Sequence, residues 1–154
     1  MEMNGVLANV YDEDAQALRV SGYGGELGYA EITSVVTGLT GVGAANRADL
    51  SPPLSVTVTV GTRPITVEAS FTSGSSDTAD RGGGIAIVEG TTILAQSQGH
   101  SSFANLGFPI KAKIRLEPSE GEHTYKVMGY ALVGGTFTPL VGSSSPAFIQ
   151  VIEV

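Results

Sequence analysis

From Ile110 to Glu117 apolar and charged residues alternate without a break: Ile110, Ala112, Ile114 and Leu116 on one side, Lys111, Lys113, Arg115 and Glu117 on the other. Successive side chains of an extended chain point to opposite faces, so this run fits a strand with one dry and one wet face and does not fit a helix. Residues 55–60 alternate valine with serine or threonine in the same way. In residues 65–71, Ile65, Val67, Ala69 and Phe71 oppose Thr66, Glu68 and Ser70. No segment sustains the 3.6-residue apolar period of a helix.

Further strands are expected at residues 32–37, 122–133, 136–141 and 146–154. Residues 85–88 and 93–95 flank Glu89-Gly90-Thr91-Thr92, a hairpin with glycine in its turn, and Pro118-Ser119-Glu120-Gly121 forms another turn. Ser51-Pro52-Pro53 is expected to be a loop, because proline has no N–H to give to a sheet. Residues 72–84 and 97–107 are polar and are expected to be long loops. About eight strands at roughly ten-residue spacing make residues 31–154 an all-β, jelly-roll-like sandwich of antiparallel strands. Residues 1–30 form a loop-rich N-terminal arm or connector, with an acidic turn at Tyr11-Asp12-Glu13-Asp14, a short strand at residues 17–20, and glycines at 22, 24, 25 and 28.

Charge and composition exclude several classes of function. The chain has no cysteine, so it has neither disulfides nor thiolate metal ligands. Its net charge of −7 divides into −5 over residues 1–50 and −2 over residues 51–154. Neither part offers the basic surface that releases counterions from nucleic acid. No apolar run approaches the ~20 residues that cross a bilayer. Met1-Glu2 opens on an acid with no long apolar run behind it, so no export signal is expected.

Two strands break the one-dry-face rule. In residues 146–154, Ala147, Ile149 and Val151 share one side, while Phe148, Ile152 and Val154 share the other. In residues 122–133, Tyr125, Val127, Ala131 and Val133 oppose Met128, Tyr130 and Leu132. A sheet apolar on both faces has to be covered on both, and no amphipathic helix is available to do it. A second copy of the chain is the expected cover, with Tyr125, Met128, Tyr130, Leu132, Phe148, Ile149 and Ile152 as candidate interface residues. Residues 1–30 folding over the sheet are the alternative.

The order of several short motifs resembles the distal domains of actinobacteriophage tail-fibre and minor tail proteins, and through them the jelly-roll heads of complement and tumour-necrosis-factor-like trimers. The motifs are Gly61-Thr62-Arg63-Pro64-Ile65-Thr66-Val67, Val88-Glu89-Gly90-Thr91-Thr92, Arg115-Leu116-Glu117-Pro118, Gly121-Glu122-His123-Thr124-Tyr125-Lys126-Val127 and the closing residues 145–154. Val10-Tyr11-Asp12 to Leu18-Arg19-Val20 is similar to the connectors ahead of such heads. The resemblance spans residues 31–154 and implies a homotrimer with the terminal strand in the inner sheet. It implies a virion structural protein made in the host cytoplasm, a fibre tip or surface head for assembly or attachment, with other virion proteins and a host surface glycan as partners. A monomeric carbohydrate-binding module is the alternative.

No constellation of residues points to catalysis, a cofactor or a metal. His100 and His123 are the only histidines, and no Gly-x-Ser-x-Gly elbow is present to set up a serine nucleophile. His123 is expected to hydrogen-bond the backbone at a turn. Asp12 and Asp14 lack the glycine and distal glutamate of a calcium loop, and Asp77 and Asp80 read as a solvated loop. Gly82-Gly83-Gly84 lacks the lysine of a phosphate cradle and is expected to bend the chain into a strand. Tyr11, Tyr23, Tyr29 and Phe103 are the aromatic residues placed in loops where a sugar ring would stack.

Overall fold

The computed structural model describes residues 9–12, 17–20, 25–40, 43, 45, 47–132 and 135–154, and side chains from residue 25 onward. Glu13, Asp14, Gly22, Tyr23, Gly24 and Val133 lie outside the described residues, as do the side chains of Tyr11 and Asp12. Among the described residues there are twelve strands: β1 (Asn9–Asp12), β2 (Ala17–Val20), β3 (Glu26–Ile32), β4 (Leu39–Thr40), β5 (Ala48–Val60), β6 (Ile65–Ser76), β7 (Arg81–Glu89), β8 (Thr92–Ser101), β9 (Phe108–Leu116), β10 (Gly121–Ala131), β11 (Thr136–Pro139) and β12 (Ala147–Glu153). β1 and β2 pair as a hairpin, and the other ten strands form two sheets.

Nested pairing defines the architecture. β7 pairs with β8, β6 with β9, β5 with β10 and β3 with β12, all antiparallel. These four pairs make one long ribbon closed at the β7–β8 hairpin, where Gly90 takes φ +57°. Rolled up, the ribbon gives the sheets β5-β10-β7-β8 and β3-β12-β6-β9, sealed by the added pairings β10–β7 and β12–β6. β11 continues along the β12 edge of β6, and β4 extends it. The chain is therefore a jelly roll of antiparallel strands, the fold expected from its two-residue periodicity.

One core lies between the sheets. Val56, Val58 and Val60 from β5, Val67 and Phe71 from β6, Ile85 and Ile87 from β7, Tyr125 and Val127 from β10, and Ile149 and Val151 from β12 all face into it. In β9, Ile110 and Ala112 are buried, while Lys111, Lys113 and Arg115 stay exposed. Glu153 donates its N–H to the Gly25 carbonyl and Val154 to that of Pro64, so both ends of the sandwich strand set lie beside the β5–β6 turn.

Several boundaries differ from expectation. Residues 72–84 are not a long loop: β6 runs to Ser76 and β7 starts at Arg81, leaving a turn of residues 77–80. β8 likewise continues to Ser101. These Ser- and Gly-rich ends lack apolar alternation, and they are held by pairing to neighbours (Gly74 with Phe108 and Pro139, Gly83 with Gly99). Pro52 and Pro53 fall inside β5, where its register with β10 slips between Leu54 and Asp49 and spares the ladder its missing donors. Only Ile32 of residues 32–37 is in a strand. β3, placed mostly in the arm by the sequence, is a sandwich strand, and a Cβ on its Gly28 would collide with Val58 and Val56 of the core.

Gly82-Gly83-Gly84 makes room rather than a bend. All three are within β7. A Cβ on Gly83 would collide with the Phe137 ring on the inner side, and one on Gly84 would collide with the Tyr130 hydroxyl on the outer side.

Candidate association surface

The outer faces of the two sheets differ. On β5-β10-β7-β8, Ser55, Thr57 and Thr59 are exposed, Thr57 Oγ1 and Thr124 Oγ1 share a hydrogen bond of 2.8 Å, and Lys126 Nζ lies 2.7 Å from Asp49 Oδ1. Of the bulky apolar residues there, Tyr130 is fully buried by the chain itself, Met128 is half-buried, and Ile93 at the β8 edge is exposed. The Tyr130 ring lies on Gly84, and the Arg47 guanidinium sits 5.4 Å above the ring centroid. Arg47 reaches on to donate to Gln96 Oε1 of β8, so one side chain straps the face from β5 to β8. Such a contact combines cation–π attraction with coverage by the arginine stem.

On β3-β12-β6-β9 no such strap is present among the described residues. Tyr29 of β3 stacks on Phe148 of β12, with centroids 5.7 Å apart and 25° between the planes. Tyr29 is 44% exposed, and Phe148 and Ile152 are half-buried. Glu31 accepts the Tyr29 hydroxyl at 2.9 Å, and Gln150 donates to Glu26. Burial first, then the Glu31 hydrogen bond, pushes the Tyr29 phenol above its ordinary pKa, keeping it a donor through the neutral range. Toward β9 the face becomes charged: Glu68 lies 2.6 Å from Lys111 Nζ and 3.4 Å from Lys113 Nζ. Burial raises the Glu68 carboxyl, but the two lysines outweigh it and hold it below its usual range.

The seven residues expected at an interface therefore separate. Tyr125, Tyr130 and Ile149 are wholly buried within one chain and are unavailable to a partner, which corrects the expectation for these three. Tyr125 and Ile149 face the core, and Tyr130 has its cover from Arg47, a residue that the strand pattern of β10 gives no reason to look for. Met128 and Leu132 are half-buried on the strapped sheet. Phe148 and Ile152 remain, joined by Tyr29, which the sequence places in a loop and the structure places on β3. Exposed Phe103, Leu106 and Leu140 sit on the β8–β9 and β11–β12 connections, at the end opposite Gly25 and Val154.

Among the described residues no three histidines or carboxylates gather as metal ligands. His100 is exposed on β8; Asp77 accepts the Thr136 N–H at 2.8 Å, which stabilises its carboxylate and lowers its pKa. Among the described residues no helix is long and apolar enough to cross a membrane. The fold and this surface define an all-β jelly roll with one stacked aromatic pair on the outer face of β3-β12-β6-β9, while Val35, Ile93, Phe103, Leu106 and Leu140 are exposed apolar residues elsewhere. No protein-family model and no curated protein sequence matches the chain.

Proposed function

We propose that the chain is a non-enzymatic structural head domain of a phage-like virion, trimeric through the outer face of β3-β12-β6-β9, serving assembly or host attachment. The observation that carries this reading is the Tyr29–Phe148 stack with Ile152 beside it, on the sheet that holds the terminal strand. That is the sheet which the resemblance to complement and tumour-necrosis-factor-like heads assigns to the trimer interior. Burying aromatic area contributes roughly 25 cal/mol per Å², and a central apolar cluster in a polar surround is the usual anatomy of an interface. The position of Phe103, Leu106 and Leu140 at the end away from Gly25 and Val154 suits a head that meets its target with its far loops.

Because the protein is free of cysteine, one introduced thiol reports cleanly on this face. Ile152→Cys under mild oxidation is expected to give covalently linked pairs of chains, with one chain in each trimer left unlinked. Thr57→Cys, on the opposite outer face, is expected to give none. Equal behaviour of the two variants contradicts the proposal.

A second reading, a monomeric carbohydrate-binding module, draws on the same pair: two stacked rings flanked by Glu26, Glu31 and Gln150 offer a sugar both an aromatic platform and hydrogen-bond acceptors. Glycan binding by a monomer, lost in Tyr29→Ala, is the outcome that favours it.

A further inference from the structure

His123 lies at the start of β10, at the same end of the sandwich as Gly25 and Val154. Its Nδ1 is 2.5 Å from Glu89 Oε1 at the end of β7, and its Nε2 is 2.9 Å from the Ser119 carbonyl in the β9–β10 turn. The ring lies nearly parallel to that of Tyr125, 8° between planes and 6.1 Å between centroids. Across the β5 ladder it faces Val58, which carries no charge. Among the described residues Glu89 and Tyr125 are thus the titratable groups in contact with it, and the Tyr125 hydroxyl is buried with no partner.

A carboxylate and a carbonyl can only accept. A neutral imidazole has one N–H, and only imidazolium has two. Both contacts are satisfied together only when the ring is doubly protonated. From this geometry we infer that His123 is a proton-operated latch joining the β9–β10 turn to the β7–β8 hairpin, closed when protonated and released at Ser119 when the ring loses its proton. The proton leaves from Nε2, because the charge-assisted bond from Nδ1 to Glu89 is the stronger of the two. With Nε2 bare, its lone pair faces that of the Ser119 carbonyl, and the turn is freed.

The hydrogen bond to Glu89, and then that to Ser119, raise the His123 pKa above its ordinary 6.5 against the opposing effect of burial. A raised histidine pKa means that the latch contributes its full stability below 6.5 and loses it as pH rises through the folded value.

The test follows the imidazole nitrogens by NMR between about pH 5 and 9 in the full chain, with His100→Gln leaving a single ring to observe. The expected result is two protonated ring nitrogens at pH 6, a midpoint above 6.5, and loss of amide protection with that same midpoint at the first residues of β10, where Gly121 and Glu122 pair with Val60 and Thr59. Protection factors already remove the ordinary base dependence of exchange. Glu89→Gln is expected to lower the midpoint and uncouple the turn. A neutral ring at pH 6, or turn protection that does not change across the titration, overturns the inference even if Glu89→Gln fails to fold.

Discussion

The rings of Tyr29 and Phe148 stack across the β3–β12 ladder on the outside of the sandwich, one step off direct register, since Tyr29 pairs with Gln150 and Phe148 with Glu31. A diagonal aromatic contact of this kind stiffens the face that carries it. The pair stays partly exposed, whereas Tyr130 on the other sheet is covered by Arg47.

Phe148→Glu is expected to leave a folded chain and to weaken association by roughly a hundredfold, about 2–3 kcal/mol, because a charge is desolvated at the contact. Sedimentation over a concentration series, with circular dichroism to check the fold, measures both. Unchanged association places the interface elsewhere.

Ile149→Glu and Lys113→Glu separate core from surface. Ile149 is fully buried, and an unpaired carboxylate there costs several kcal/mol, enough to unfold a domain of ordinary stability. Lys113→Glu loses an exposed bridge and sets a carboxylate opposite Glu68, which Lys111 still pairs, a cost of about 1 kcal/mol that leaves the fold intact. Urea unfolding distinguishes them.

Gly83→Ala is expected to destabilise by about 1–3 kcal/mol through overpacking, since the new methyl runs into the Phe137 side chain and the Tyr130 carbonyl. Gly61→Ala meets nothing within 4 Å and is expected to be close to neutral. Their urea midpoints should differ accordingly.

Tyr125→Phe removes a buried hydroxyl that has no partner among the described residues, so stability is expected to be unchanged or to rise. Burial, with the Glu89 charge adding to it, pushes the Tyr125 phenol up to about 12. Because the buried phenol resists ionisation while the unfolded one ionises from 10 upward, stability is undiminished below 10 and falls as pH climbs toward 12, and this alkaline loss should be smaller in Tyr125→Phe. Chemical unfolding at a series of alkaline pH values shows the difference.

What the sequence reveals depends on where the partner of each residue lies. β9 is legible because Lys111, Lys113 and Arg115 alternate with buried residues, and β12 because apolar residues stand on both of its sides with only Gln150 and Glu153 interrupting them. The ends of β6 and β7 are not, since Gly74 and Gly83 are selected by the bulk of Phe137, which arrives from β11. Tyr130 reads as a surface in search of a cover, and its cover, Arg47, comes from before β5. The His123 site is equally hidden: the β10–β7 register that sets Tyr125 opposite Glu89 brings that carboxylate to the ring. Local alternation thus reports the faces of strands, while the contacts that close those faces depend on long-range pairing.

The mass of the purified chain in native solution tests the central claim most directly. At micromolar concentration the expected species has three chains, each of 15.8 kDa, and falls apart in Phe148→Glu. A monomer at that concentration, with the Tyr29–Phe148 face open to water, contradicts it.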